Sequence, residues 1–105
     1  MLENFNEYHS LGLEAFNKEK YNSVTTLFFK AIAALCDIYI LRKENIMPSS
    51  HTDRFRILEH KYPDIYKIAD RDFPFYQDSY TKKMDKEAAE LLKEDAEKIK
   101  KILGI

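Results

Sequence analysis

Tyr21-Asn-Ser-Val-Thr-Thr-Leu-Phe-Phe-Lys-Ala-Ile-Ala-Ala-Leu-Cys-Asp-Ile-Tyr-Ile-Leu41 contains neither glycine nor proline, and four of its polar positions fall on one narrow stripe. That stripe is Asn22, Thr26, Lys30 and Asp37, with Ala33 between the last two. Every other turn offers Val24, Leu27, Phe28, Ala31, Ile32, Leu35, Ile38, Tyr39 or Leu41. After a polar break at residues 18–22, this predicts a helix running to about Lys43, roughly 36 Å long at ~1.5 Å per residue. A helix apolar over most of its circumference must be covered on most sides. One thin partner helix cannot do that, so the segment belongs at the centre of a bundle or in a subunit interface.

Outward from this segment the chain continues to read as helix. Upstream, Leu2, Phe5, Tyr8, Gly12 and Ala15 recur at three- and four-residue spacing and predict a first helix over Leu2–Asn17. Gly12 on its apolar face weakens the helix and is explained by the close approach of another one. Downstream, Asn45-Ile-Met-Pro-Ser49 is a break, since Pro48 biases its predecessor away from helix. Ser50 with Asp53 forms an N-cap and a capping-box variant ahead of a short helix ending near His60. Pro63 opens another short helix over residues 64–70. Arg71-Asp-Phe-Pro-Phe-Tyr-Gln-Asp-Ser-Tyr80 then reads as a shaped aromatic connection, its rings matching neither a helical stripe nor an alternation.

A last helix starts near Met84 on the stripe Met84, Ala88, Leu91, Leu92, Ala96, Ile99 and Leu103. Its carboxylates come early and Lys98, Lys100 and Lys101 come late, as the helix dipole favours. Glu94–Lys98 and Glu97–Lys101 have the spacing of stabilising pairs, and Gly104 supplies a stop. The expectation is an all-α fold: one domain over residues 1–105, built as an up-and-down bundle of four to five helices.

With 2 Gly and 3 Pro the chain is too poor in turn residues for a β fold, and a net charge of −1 gives no global attraction to nucleic acid or anionic lipid. The N-terminus is acidic and lacks the apolar core of a signal peptide. Lys30 and Asp37 interrupt the most apolar segment, which argues against a membrane span. A cytoplasmic location is the expectation by elimination. The single cysteine, Cys36, reads as a buried reduced thiol.

No glycine-rich phosphate loop, nucleophile elbow or metal-spaced Cys/His set is present, so neither metal nor cofactor is expected. The basic stretch Arg54-Phe-Arg-Ile-Leu-Glu-His-Lys61 holds the chemistry an RNA-cleaving site would use. An arginine, Arg54 or Arg56, can grip a phosphate, and His60 can move a proton. Arg56 and His60 share a helical face, whereas Arg54 and His60 lie about 120° apart around it. A solvated basic face balanced by Asp53 and Glu59 is the plainer reading. In the aromatic stretch, Arg71, Phe75, Tyr76 and Tyr80, together with His51, are candidates for contact with a nucleotide or a partner. The alternative there is closure of the bundle end, with Arg71 paired to Asp70, Asp72 or Asp78.

Three features resemble one family. The Tyr21–Leu41 helix follows a short break, Pro48-Ser-Ser-His51 leads into a short helix, and Arg71-Asp-Phe-Pro-Phe-Tyr76 leads toward the Glu87-Ala-Ala-Glu-Leu-Leu92 helix. In these the chain resembles small prokaryotic HEPN domains over nearly its whole length. The resemblance implies a four- or five-helix bundle that forms homodimers. It also implies a nucleotidyltransferase-type partner in a toxin–antitoxin-like system, and contact with nucleotide or RNA. Active members are metal-independent ribonucleases with an arginine and a histidine separated by four to six residues, a spacing that Arg54 and His60, with five between, match. They depart from it in context, because Phe55 follows Arg54 where a polar residue is usual, and Arg71 has no histidine downstream. A non-catalytic member is the resulting expectation.

The alternative is a tetratricopeptide-like scaffold for a protein partner. Leu11-Gly12, Phe28 and Ala31 suit such a repeat, but no second copy follows 34 residues on. The homodimer is expected on physical grounds too, since the apolar circumference of the Tyr21–Leu41 helix exceeds what a 105-residue monomer is expected to cover.

Overall fold

The structure, a computed structural model, describes residues 2–105. It contains α1 (Leu2–Asn17), α2 (Tyr21–Glu44), α3 (His51–Lys61), α4 (Pro63–Asp78) and α5 (Lys86–Leu103), and no strand among the described residues.

The long apolar stretch folds as the single helix α2, which spans nearly the whole 38 Å long axis of the molecule. It is the hub: α1 and α5 pack along it, and α4 and α3 close further sides. Val24, Phe28, Phe29, Ala31, Ile32, Leu35, Cys36 and Ile40 are all buried. The chain's own helices therefore cover α2, and a second copy is not needed for that purpose. By length and composition Tyr21–Glu44 would also suit a membrane span, yet 56% of its apolar window is buried in this bundle.

Local chemistry sets the helix ends. Asn45 closes α2 in the left-handed conformation, its N–H reaching the Leu41 carbonyl. Ser50 caps α3 by accepting the Asp53 N–H, while the Asp53 carboxylate accepts the N–H of Ser49. Asp85 caps α5 through the Ala88 N–H, and Gly104 ends it at φ 68°. Gly12 serves the close approach expected of it: a Cβ there would stand 2.8 Å from the Phe28 ring.

The connection expected at residues 71–80 is instead helix. α4 continues through Pro74 to Asp78. Phe73, Tyr76 and Tyr80 are spaced by three and four, so they do form a helical stripe, and only Phe75 departs from it. The hydrogen bond that Pro74 cannot donate would have gone to the Asp70 carbonyl. Asp70 and Pro74 are both exposed, so water can serve that carbonyl. The last helix begins at Lys86 rather than Met84, and its i,i+4 pairs are Lys86–Glu90 and Lys93–Glu97 rather than the two expected.

The link between α4 and α5 is fastened by one side chain of α2. Asn22 Nδ2 donates to the carbonyls of Ser79 (2.9 Å) and Lys82 (2.6 Å), and its Oδ1 accepts the N–H of Met84 (2.9 Å). One turn on, the Thr26 and Ser79 hydroxyls meet at 2.7 Å. The N-terminal half of the polar stripe on α2 is thus spent on holding this link.

Candidate functional site

The C-terminal half of that stripe forms the floor of a cleft. Lys30, Ala33, Ala34 and Asp37 of α2 line a cavity of about 390 Å³. Asn4 and Tyr8 of α1 form one wall, Tyr76 of α4 another, and Met47, His51 and Arg54 close the end. Met47 is half exposed beside the opening.

A chain of polar contacts fixes the closed end. The Arg54 guanidinium meets Asp37 through two bonds, Nε to Oδ1 at 2.7 Å and Nη2 to Oδ2 at 2.9 Å. Its Nη1 lies 2.7 Å from His51 Nδ1. A guanidinium has donors only, so Nδ1 must accept and Nε2 carries the ring's proton. Burial disfavours the charge on Arg54, but the hydrogen bonds to Asp37 outweigh it and leave the guanidinium more firmly protonated than usual. His51 is held below its ordinary value by burial and then by the adjacent Arg54 charge. Its ring rests against Phe73, Tyr76 and Phe29, with centroids 5.2, 5.8 and 6.2 Å away.

This arrangement limits the chemistry. Neutral His51 has its one lone pair committed to Arg54 and its other nitrogen protonated. It can donate a hydrogen bond, but it is poorly placed to accept a proton in a reaction or to supply one. The remaining cation at the floor is Lys30. Its ammonium sits 5.9 Å from the centre of the Tyr8 ring and makes no ion pair among the described residues. Tyr76 shares a hydroxyl contact of 2.8 Å with Tyr80, and burial, then Tyr80, push its phenol up to about 12.

The residues singled out in the sequence are distributed unevenly around this cleft. His51, Arg54 and Tyr76 line it, and Tyr80 adjoins it through Tyr76. Arg56 and His60 line a different recess with Glu59, and Arg56 pairs with Asp53 at 2.6 Å. Arg54 and His60 are therefore not gathered into one pocket. Phe75 is half-buried against the core and lines no part of the cleft.

Arg71 is engaged elsewhere, its Nη2 donating to Asp95 at 2.5 Å and its Nε reaching Asp72 at 3.4 Å. Asp72 is fully buried, and its Oδ2 has no hydrogen-bond partner among the described residues. Burial, then the neighbouring Asp95 carboxylate, push its carboxyl up to about 8. Both causes favour the protonated form, which can donate a hydrogen bond to Asp95.

Sequence reasoning missed Asn4, Tyr8, Lys30, Asp37 and Met47 as site residues. A signal was present for the central pair, because Lys30 and Asp37 interrupt an otherwise apolar helix. Comparison with protein-family models, curated proteins and solved structures returns no match for this chain.

Proposed function

We propose that this chain is a HEPN-like helical module that binds without cleaving. It would work in the cytoplasm, as a homodimer and with a nucleotidyltransferase-type partner, in a toxin–antitoxin-like or other nucleotide- or RNA-related system. The observation that carries the binding reading is the commitment of Arg54. Asp37 and His51 hold the guanidinium, and His60 lies outside its pocket. An arginine held this way is poorly free to clamp a scissile phosphate, and neutral His51 cannot complete an acid–base pair. The homodimer and the nucleotidyltransferase-type partner rest on the sequence resemblance, since the chain's own helices already cover α2. The tetratricopeptide-like alternative draws on the packing of Gly12 against Phe28, but one helix pair does not make a solenoid.

The test is incubation of the purified protein with RNA in the presence of chelator. No cleavage above background is expected. Loss of a general acid–base typically costs about 10²–10⁴-fold in rate. Cleavage that collapses by that factor in His60→Ala or His51→Ala, with the fold intact by circular dichroism, would overturn the reading.

A further inference from the structure

The seam between α4 and α5 carries a polar cluster that takes no part in the cleft. α5 packs mainly along α2 and only lightly against α4. Within that light contact three charged side chains step inward from water. The Arg71 side chain is half exposed, that of Asp95 is 7% exposed, and that of Asp72 is fully buried. Arg71 Nη2 donates to Asp95 at 2.5 Å, and its Nε reaches Asp72 Oδ1 at 3.4 Å.

One guanidinium thus stands against two carboxylates, and Asp72 Oδ2 is left without a hydrogen-bond partner among the described residues. A buried polar atom left unpaired is costly, and an uncompensated buried charge is costlier. One proton removes both costs. Carried on Asp72, it cancels the surplus charge and gives that carboxyl a bond to donate to Asp95. Burial and then Asp95 favour this proton, lifting Asp72 to about 8, and Arg71 opposes it. The charge facing Asp72 from α4 is Arg71 and from α5 Asp95, while α2 and α3 bring none to it.

The place of the cluster decides what the proton controls. The Ser79–Met84 link ties one end of the seam to Asn22. The cluster lies two to three turns away from that link along each helix. Tyr76, one turn along α4 from Asp72, forms a wall of the cleft. A change in how α4 is held against α5 is therefore a change beside that wall.

We propose that Arg71, Asp72 and Asp95 form a proton-operated latch on the α4–α5 seam. With one proton on the carboxyl pair the seam is closed. Without it two buried carboxylates share one guanidinium, and the seam opens locally while α1 stays packed on α2. The closed seam holds a proton that the open one releases, so opening becomes easier as pH rises toward about 8 and levels off above it. The device is independent of what the cleft binds.

The experiment is native-state hydrogen exchange of the full chain from pH 5 to pH 9, read as protection factors so that the intrinsic pH dependence of exchange is divided out. Protection of the α4 and α5 amides should fall about tenfold or more up to pH 8, relative to amides in the α1–α2 contact. Asp72→Asn keeps a donor and removes the titration, so the relative fall should disappear. Asp95→Asn removes the second carboxylate and should shrink it. Carbon-13 NMR of the wild-type carboxyls reads the proton directly, and Asp72 should titrate well above the ordinary 3.8. That measurement holds whether or not the variants fold, which thermal melts check.

The proposal is overturned if Asp72 titrates in the ordinary carboxylate range, if protection in α4 and α5 does not fall relative to the α1–α2 contact, or if the relative fall persists in folded Asp72→Asn. None of these results touches the non-cleaving reading, which falls only on histidine-dependent cleavage of RNA.

Discussion

Arg54 and Arg71 each stand beside buried or half-buried carboxylates, and the two sites balance their charges in opposite ways. At Arg54 there is one carboxylate for one guanidinium. Two bonds join them, and a third N–H goes to a histidine that must stay neutral. At Arg71 there are two carboxylates for one guanidinium, and burial with the Asp95 charge favours a proton on Asp72 that relieves the surplus. The side chain of Arg54 is 11% exposed and that of Arg71 53%. An arginine that looks available in a sequence is thus claimed by whatever carboxylate the fold brings beside it. What is left for a ligand is decided by bond-by-bond matching rather than by local charge.

The largest effect that tests this contrast is loss of Arg54. Arg54→Ala strands the half-buried Asp37 carboxylate and should cost about 3 kcal/mol in urea unfolding. Arg54→Lys should recover little of it, because an ammonium cannot reproduce the two parallel bonds. A cost below about 1 kcal/mol for Arg54→Ala would show that the pair is solvated and that the contrast with exposed pairs is false.

Next comes the pH dependence that Asp72 imposes. Its folded-state value rises from the ordinary 3.8 to about 8, so over that interval the folded protein binds more protons than the unfolded chain. The contribution is complete at low pH and is lost as pH climbs toward about 8. His51 acts in the other direction. Its value is depressed, so its contribution is present above the ordinary 6.5 and is lost as pH falls through the folded value. Urea midpoints measured from pH 4 to pH 9 should therefore decline up to about pH 8 in the wild type and decline less over that range in Asp72→Asn. A decline unchanged in that variant would assign the slope to another group.

The smallest effect is at Arg56, whose ion pair with Asp53 lies at the surface with the arginine 70% exposed. Arg56→Ala should shift stability by less than about 0.5 kcal/mol. Thermal denaturation at low and high salt would measure it, and a loss comparable to that at Arg54 would show that exposure does not separate the two pairs.

Much of this architecture is legible in the residues. The bounds of α1, the Ser50 cap, the Gly12 contact, the burial of Cys36 and the Gly104 stop all depend on interactions within a few residues or on one unambiguous side chain. What was not legible depends on partners distant in the chain. The missing N–H of Pro74 is a local fact, whereas the exposure of Asp70 that makes the loss bearable is a tertiary one. The cleft is similar. Asp37 and Arg54 are 17 positions apart, and neither spacing nor charge announces that they meet. His60 drew attention because it sits in a basic run, yet the histidine brought to the cleft is His51, at the first turn of the same helix.

The Asn22 clamp has a consequence for how this chain can change. Surface connections usually absorb inserted or deleted residues at little cost. The link from Ser79 to Met84 lacks that freedom, because two carbonyls and one N–H must stay at fixed separations to meet a single amide about sixty positions earlier. Lengthening it by one residue would pull Met84 off Asn22 and leave its N–H without that partner. The least regular stretch of the molecule is in this sense among its least editable, and its length is written in α2.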